Sequence, residues 1–159
     1  MTFTSNETQT PRRPWYETDA DLQHERDIAD ELSRVWRCDM RKLSPSYRLD
    51  FGATRGDDVL AWVEIKDRNC RSTDYSEAVL NLDKWLAGEN LSDKTGLPWL
   101  LVQRYKDGIY FADNATMAVY KRIAYGGRTH CTRDDCDIGP VVMIDLKAFR
   151  PLHLEIGDD

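Results

Sequence analysis

Two neighbouring runs, YRLDFGAT at residues 47–54 and LAWVEIKDR at residues 60–68, decide how this chain folds. In the first, Tyr47, Leu49 and Phe51 alternate with Arg48 and Asp50. In the second, Ala61, Val63 and Ile65 alternate with Trp62, Glu64 and Lys66. A period of two marks a strand with one face toward the core. The intervening TRGDD is turn chemistry, so the pair reads as a hairpin. Folding about Asp57 sets Asp50 opposite Glu64, because both lie the same number of residues from that turn. Directly opposed residues place their Cβ atoms roughly 4.5–5.5 Å apart. Two carboxylates so placed repel unless a proton or a cation lies between them. Lys66, two residues beyond Glu64, projects from the same face.

This trio suits a divalent metal. Mg2+ takes one or two carboxylates, keeps several waters and accepts substrate phosphate oxygens. Asp50 and Glu64 supply the carboxylates, and Lys66 can orient a water or stabilise charge on a phosphate. The plainer reading of an E-x-K pattern is a solvated ion-pair cluster. The opposed Asp50 on the same face favours the metal site.

Moving outward, residues 19–36 read as a first helix. Thr18 and Asp21 resemble a capping box, and Leu22, Ile28, Ala29, Leu32, Val35 and Trp36 form the apolar stripe. Glu25 falls within that stripe, where a carboxylate is costly unless paired or bound to a metal. Glu31 falls at its solvated edge. A second helix is expected from Asp74 to Ala87, ended by Gly88 and followed by the loop GENLSDKTGLP. Strands are expected at residues 99–105 (WLLVQRY), 109–115 (IYFADNA) and 140–146 (PVVMIDL), with a short helix over 116–120 and a loop over 126–139. This order predicts an α/β sandwich whose mixed central sheet has about five strands flanked by helices. Residues 1–17, polar and carrying Pro11 and Pro14, read as a flexible arm before a single domain at 18–155.

A Glu on the first helix, an Asp at a strand end and E-x-K on the next strand resemble the PD-(D/E)xK nuclease superfamily. Its members include restriction endonucleases, Holliday-junction resolvases and phage exonucleases. The matching positions are Glu25, Asp50, Glu64 and Lys66. The stretches Leu49-Asp50-Phe51 and Trp62 to Arg68 are most similar to small phage-encoded or resolvase-like members, with Leu49 in place of the Pro that gives the motif its name. The resemblance implies a restriction-endonuclease-like fold, Mg2+ (with Mn2+ as a substitute), and the Ile65 carbonyl as a further metal ligand. It also implies DNA as substrate and a homodimer as a common assembly. In similar proteins the second helix often carries a Lys or Gln near the site. Lys84 is the candidate here, although its expected helical phase turns it away from the core, and Gln103 on the following strand is another.

Composition agrees with this and narrows it. The chain has 159 residues, 41% hydrophobic and 31% charged, with a net charge of −6. That charge argues against a broad basic DNA-binding face. Local basic patches near Arg68, Arg71, Arg122 and Arg128 leave room for brief contact with nucleic acid. No apolar run approaches the ~20 residues of a membrane span, and no secretory segment is evident, so a cytoplasmic location is expected, in the bacterial host if the chain is phage-encoded. The cysteines do not form a disulfide framework. His130, Cys131 and Cys136 fall short of a closed zinc set, so zinc is not expected. No phosphate-cradling glycine loop, HExxH or nucleophile elbow competes. The expectation is therefore a Mg2+-dependent deoxyribonuclease. The alternative is a catalytically silent nuclease fold that binds DNA or a protein partner, such as a phage accessory or inhibitor protein.

Overall fold

A computed structural model describes residues 18–127 and 138–153. Helix α1 spans Asp19–Trp36. Its start is fixed by a true capping box: the Thr18 hydroxyl accepts from the Asp21 N–H, and the Asp21 carboxylate accepts from the Thr18 N–H. Strands β1 (Asp39–Lys42), β2 (Phe51–Arg55) and β3 (Asp58–Asp67) follow, then β4 (Glu77–Asn81) and helix α2 (Leu82–Thr95). Strands β5 (Trp99–Tyr105) and β6 (Gly108–Asp113), helix α3 (Asn114–Tyr120), and strands β7 (Lys121–Gly127), β8 (Ile138–Asp145) and β9 (Arg150–Pro151) complete the chain order.

Six strands form the main sheet in the order β1-β2-β3-β5-β6-β9, and β4-β8-β7 form a smaller second sheet. The main sheet is mixed: β3 runs parallel to β5, and its other neighbours are antiparallel. Helix α1 covers one face, where Ile28, Ala29 and Leu32 pack on Phe51, Ala53, Val63, Ile65 and Val102. On the other face Trp85, Trp99, Leu101 and Met117 meet Leu80, Val142 and Ile144 of the second sheet. The expected α/β layering around a mixed sheet is thus present. Among the described residues no helix is long and apolar enough to cross a membrane.

Several local expectations are corrected. The run at 47–54 is not one strand. Pro45–Tyr47 is a 3-10 turn, Arg48 is left-handed (φ 63°), and the strand starts at Phe51. As a result Leu49 and Phe51, expected on one face, enter opposite cores. Within the helix expected from Asp74, residues 77–81 form a strand instead, with Ala78 and Leu80 buried and paired to β8. Long-range pairing overrides local propensity there. Residues 121–127, expected to end in a loop, form β7 against β8.

Gly88 does not stop α2, which runs on to a left-handed Gly96 cap. The reason for glycine is a close approach: a Cβ at position 88 would lie 2.4 Å from the ring of the fully buried Trp99. Trp99 has little freedom to yield, because its Nε1 donates to Glu89 and its ring meets Trp85 edge-on. Overpacking costs about 1–3 kcal/mol or more, against about 1 kcal/mol gained by Ala over Gly in a helix. Gly88→Ala is therefore expected to lower the melting temperature by several degrees. A melt unchanged or raised would contradict this packing.

Candidate active site

The register of the first hairpin makes the site. Its turn is tight, with Arg55 paired to Asp58 and Gly56 at φ 62°. Thr54 pairs with Val59 but Ala53 pairs with Ala61, so Leu60 is an extra residue, a β-bulge. Continued from the tight turn without the bulge, the register would bring Val63 opposite Asp50. With the bulge, Phe51 pairs with Val63, and the ladder ends there, with the Asp50 N–H on the Val63 carbonyl. A one-residue slip exchanges the faces of a strand. The bulge therefore sets which residues of β3 lie beside the start of β2, where Asp50 comes close enough to Glu64 to raise its carboxyl.

Asp50 lies just before β2. Its N–H donates to the Val63 carbonyl, and its carboxylate Oδ2 accepts from the Ile65 N–H at 2.8 Å. The Ile65 carbonyl points to the same side as its N–H, since both groups of one strand residue face one neighbour. Glu64 lies on the opposite face from α1, in the row of Trp62 and Lys66, and is fully buried. Its Oε1 is 2.7 Å from Lys66 Nζ, and its Oε2 is 3.3 Å from Lys84 Nζ. Lys84 also donates to the Arg48 carbonyl. Lys84 reaches the site because α2 begins at Leu82, which puts this residue in the first turn and changes its phase from the one expected.

Glu25 comes from the other layer. It pairs with Lys42 at the end of β1, and Lys42 Nζ is also 3.8 Å from Asp50 Oδ1. Glu31 instead holds Arg34 and His153, both at 2.6 Å. Of the two helix acids, the structure brings Glu25 toward the site. Lys42 was not legible, because its strand is short, exposed and charged. Glu25→Gln should then lower any cleavage about tenfold or more by releasing Lys42, while Glu31→Gln leaves it unchanged. The reverse pattern in a cleavage assay would reassign the helix contribution to Glu31.

Burial pushes the Glu64 carboxyl well above the ordinary range. Lys66 opposes that rise, Asp50 adds to it, and Lys84 opposes it. The expected repulsion from Asp50 is thus present but is smaller than the cost of burial. Oε1 of Glu64, although beside Lys66, has no aligned hydrogen-bond donor among the described residues. An under-satisfied buried oxygen beside a second carboxylate fits a hard, oxygen-seeking cation. No group of three or more His, Cys, Asp or Glu gathers among the described residues. Two neighbouring carboxylates supply oxygen ligands of the kind a hard divalent cation takes.

The other candidates are held by other partners. Gln103, the ladder partner of Lys66, is fully buried and accepts from Tyr105 and Arg68. Arg68 also donates to the Val79 carbonyl. Arg71 is exposed, and its backbone N–H is held by Asp74. Arg122 makes a two-point pair with Glu77 on the second sheet. Arg128, His130, Cys131 and Cys136 lie outside the described residues, as do residues 1–17.

A family described as "Phage putative PDDEXK endonuclease" matches residues 11–152. The chain belongs to this phage endonuclease family. The match spans the helix, hairpin and second-layer elements that hold Glu25, Asp50, Glu64, Lys66 and Lys84. It supports a nuclease-like function for the fold. No curated protein matches the chain at a significant level.

Proposed function

We propose that the chain is a metal-dependent endonuclease that hydrolyses DNA phosphodiester bonds through an activated water. The observation that carries this reading is the fully buried Glu64, near enough to Asp50 for that carboxylate to raise it and followed on the same face by Lys66. Asp50, Glu64 and the Ile65 carbonyl would hold Mg2+ or Mn2+, which when bound polarises the phosphate and makes a water acidic enough to attack at neutral pH.

The chain's own residues prepare that chemistry. The Ile65 N–H fixes the Asp50 carboxylate, so its second oxygen can face a ligand. Glu25, Asp50 and Glu64 balance Lys42, Lys66 and Lys84 in charge. A divalent cation added to this balanced set leaves an excess of two positive charges, which favours a phosphate anion. Lys66, half-exposed beside Glu64, can turn its ammonium to a phosphate oxygen or to the attacking water. Lys42, held by Glu25, keeps positive charge at the Asp50 side.

Closed-circular DNA tests the reading directly, because it has no ends for an exonuclease. Incubation with Mg2+ or Mn2+ should give nicked and linear products that disappear with a chelator and in Glu64→Ala. Circles left intact by the folded wild-type protein with either metal would contradict it and favour a silent fold that only binds.

A further inference from the structure

Beside the catalytic row lies a cavity of about 300 Å3 that nothing in the reaction above uses. Its floor is Gln103, Tyr105 and Ala78, all buried, with Val79 and Met143 on its walls. Arg71 and Tyr75, the latter 68% exposed, stand at its rim. Its position follows from the strand pattern. Glu64 and Lys66 share one face of β3, Arg68 follows just past its end, and Gln103 is the ladder neighbour of Lys66 on β5. Adjacent strands are about 4.8 Å apart, and alternate residues along a strand about 6.6 Å. The cavity therefore begins one step beyond Lys66, the distance to a neighbouring nucleotide and not to a remote site.

The decisive feature is an unused donor. Gln103 is completely buried, and its Nε2 has no hydrogen-bond partner among the described residues. Its orientation is set chemically. Arg68 can only donate, and its Nε faces the Gln103 oxygen at 3.4 Å, while the Tyr105 hydroxyl donates to the same oxygen at 2.8 Å. The amide N–H2 is thus the end left over. Burying such a group unpaired is costly, and proteins keep such groups mainly where a ligand completes them. Burial keeps the Tyr105 hydroxyl protonated and donating, since it raises the phenol above its ordinary value.

We propose that this cavity receives one unpaired nucleobase of the substrate strand, next to the scissile phosphate. Gln103 Nε2 donates to an acceptor on the base edge, Tyr75 offers its ring at the rim, and Arg71 meets the adjoining phosphate. A volume of about 300 Å3 is at the small end of ligand pockets, suited to a single nucleoside. The walls are apolar enough to accept a ring face, and the unpartnered amide on the floor asks for an acceptor. The site would thus favour DNA with an unpaired or easily flipped base at the cleavage point over perfect duplex. This inference rests on the nuclease reading.

Fluorescence anisotropy with Ca2+ in place of Mg2+ tests it on DNA carrying a single unpaired base, on the same DNA with an abasic residue there, and on perfect duplex. Wild type should bind the unpaired base about tenfold more tightly than the abasic strand. Gln103→Glu keeps the oxygens that Tyr105 and Arg68 need but removes the donor, and Met143→Trp fills the cavity without touching its polar groups. Both should reduce the preference to near unity. Equal affinity of wild type for the base-containing and abasic strands, or a preference kept in both variants, overturns the base pocket while the nuclease reading stands. Failure of wild type to cut any of these DNAs with Mg2+ or Mn2+ overturns both.

Discussion

Glu64→Gln is expected to abolish cleavage, by about 10^3-fold or more, and yet to raise the thermal stability of the metal-free protein. The carboxylate is completely buried, and burial is the largest influence on it. Lys66 and Lys84 compensate in part, but both keep access to solvent and can regain water when Glu64 is neutral. An acid whose pKa is higher folded than unfolded gives the folded state the greater proton uptake between the two values. Stability therefore falls as pH rises from the ordinary carboxylate range through the raised folded value, then levels off. The Gln variant should lose that slope and melt higher at neutral pH in the presence of a chelator. A lower melting temperature with an unchanged pH slope would mean that the lysine pairs outweigh burial. Asp50 behaves differently. Asp50→Ala leaves the Ile65 N–H without its acceptor and should cost about 1 kcal/mol, whereas Asp50→Asn preserves the bond.

Lys66→Ala should reduce cleavage by about 10^2- to 10^3-fold while changing metal affinity far less. A protonated ammonium has no lone pair for a cation, so the work of Lys66 is on water or phosphate. One coupling is predictable. Lys66 is the largest influence pulling the Glu64 carboxyl down, so its removal lets that group rise further. Metal binding by the variant should then weaken toward acid pH and recover toward alkaline pH, and cleavage should not recover with it. Calorimetric Ca2+ titration at several pH values alongside plasmid cutting would show this split. A variant that loses metal binding at every pH, as fully as Glu64→Gln, would contradict the division of roles.

The site was legible in the sequence to the extent that its pattern was local. Alternation from Ala61 to Lys66 places Glu64 and Lys66 on one face, and the Thr18–Asp21 box starts α1 where the structure starts it. The pairing of Asp50 with Glu64 was anticipated from a simple fold about Asp57. The structure instead centres the turn half a residue earlier, adds a bulge at Leu60 and ends the ladder at Phe51–Val63, so Asp50 acts on Glu64 from just outside the ladder. Nothing in a single sequence distinguishes that bulge from a plain strand. Lys84 was placed in the wrong phase for a different reason. Lys84 was given the phase of a helix beginning at Asp74, yet residues 77–81 are held as a strand by β8, sixty or more residues away. Gly88 read as a helix stop because the indole that needs its missing side chain, Trp99, is visible only after folding. Such effects depend on long-range contacts and leave no local period.

The position of the metal tests the central claim most directly. A crystal of the wild-type chain equilibrated with Mn2+, read by anomalous scattering, should show one peak about 2.1–2.2 Å from oxygens of Asp50, Glu64 and the Ile65 carbonyl, and the peak should vanish in Glu64→Gln. A peak bound elsewhere, or one that persists unchanged in that variant, would contradict the account.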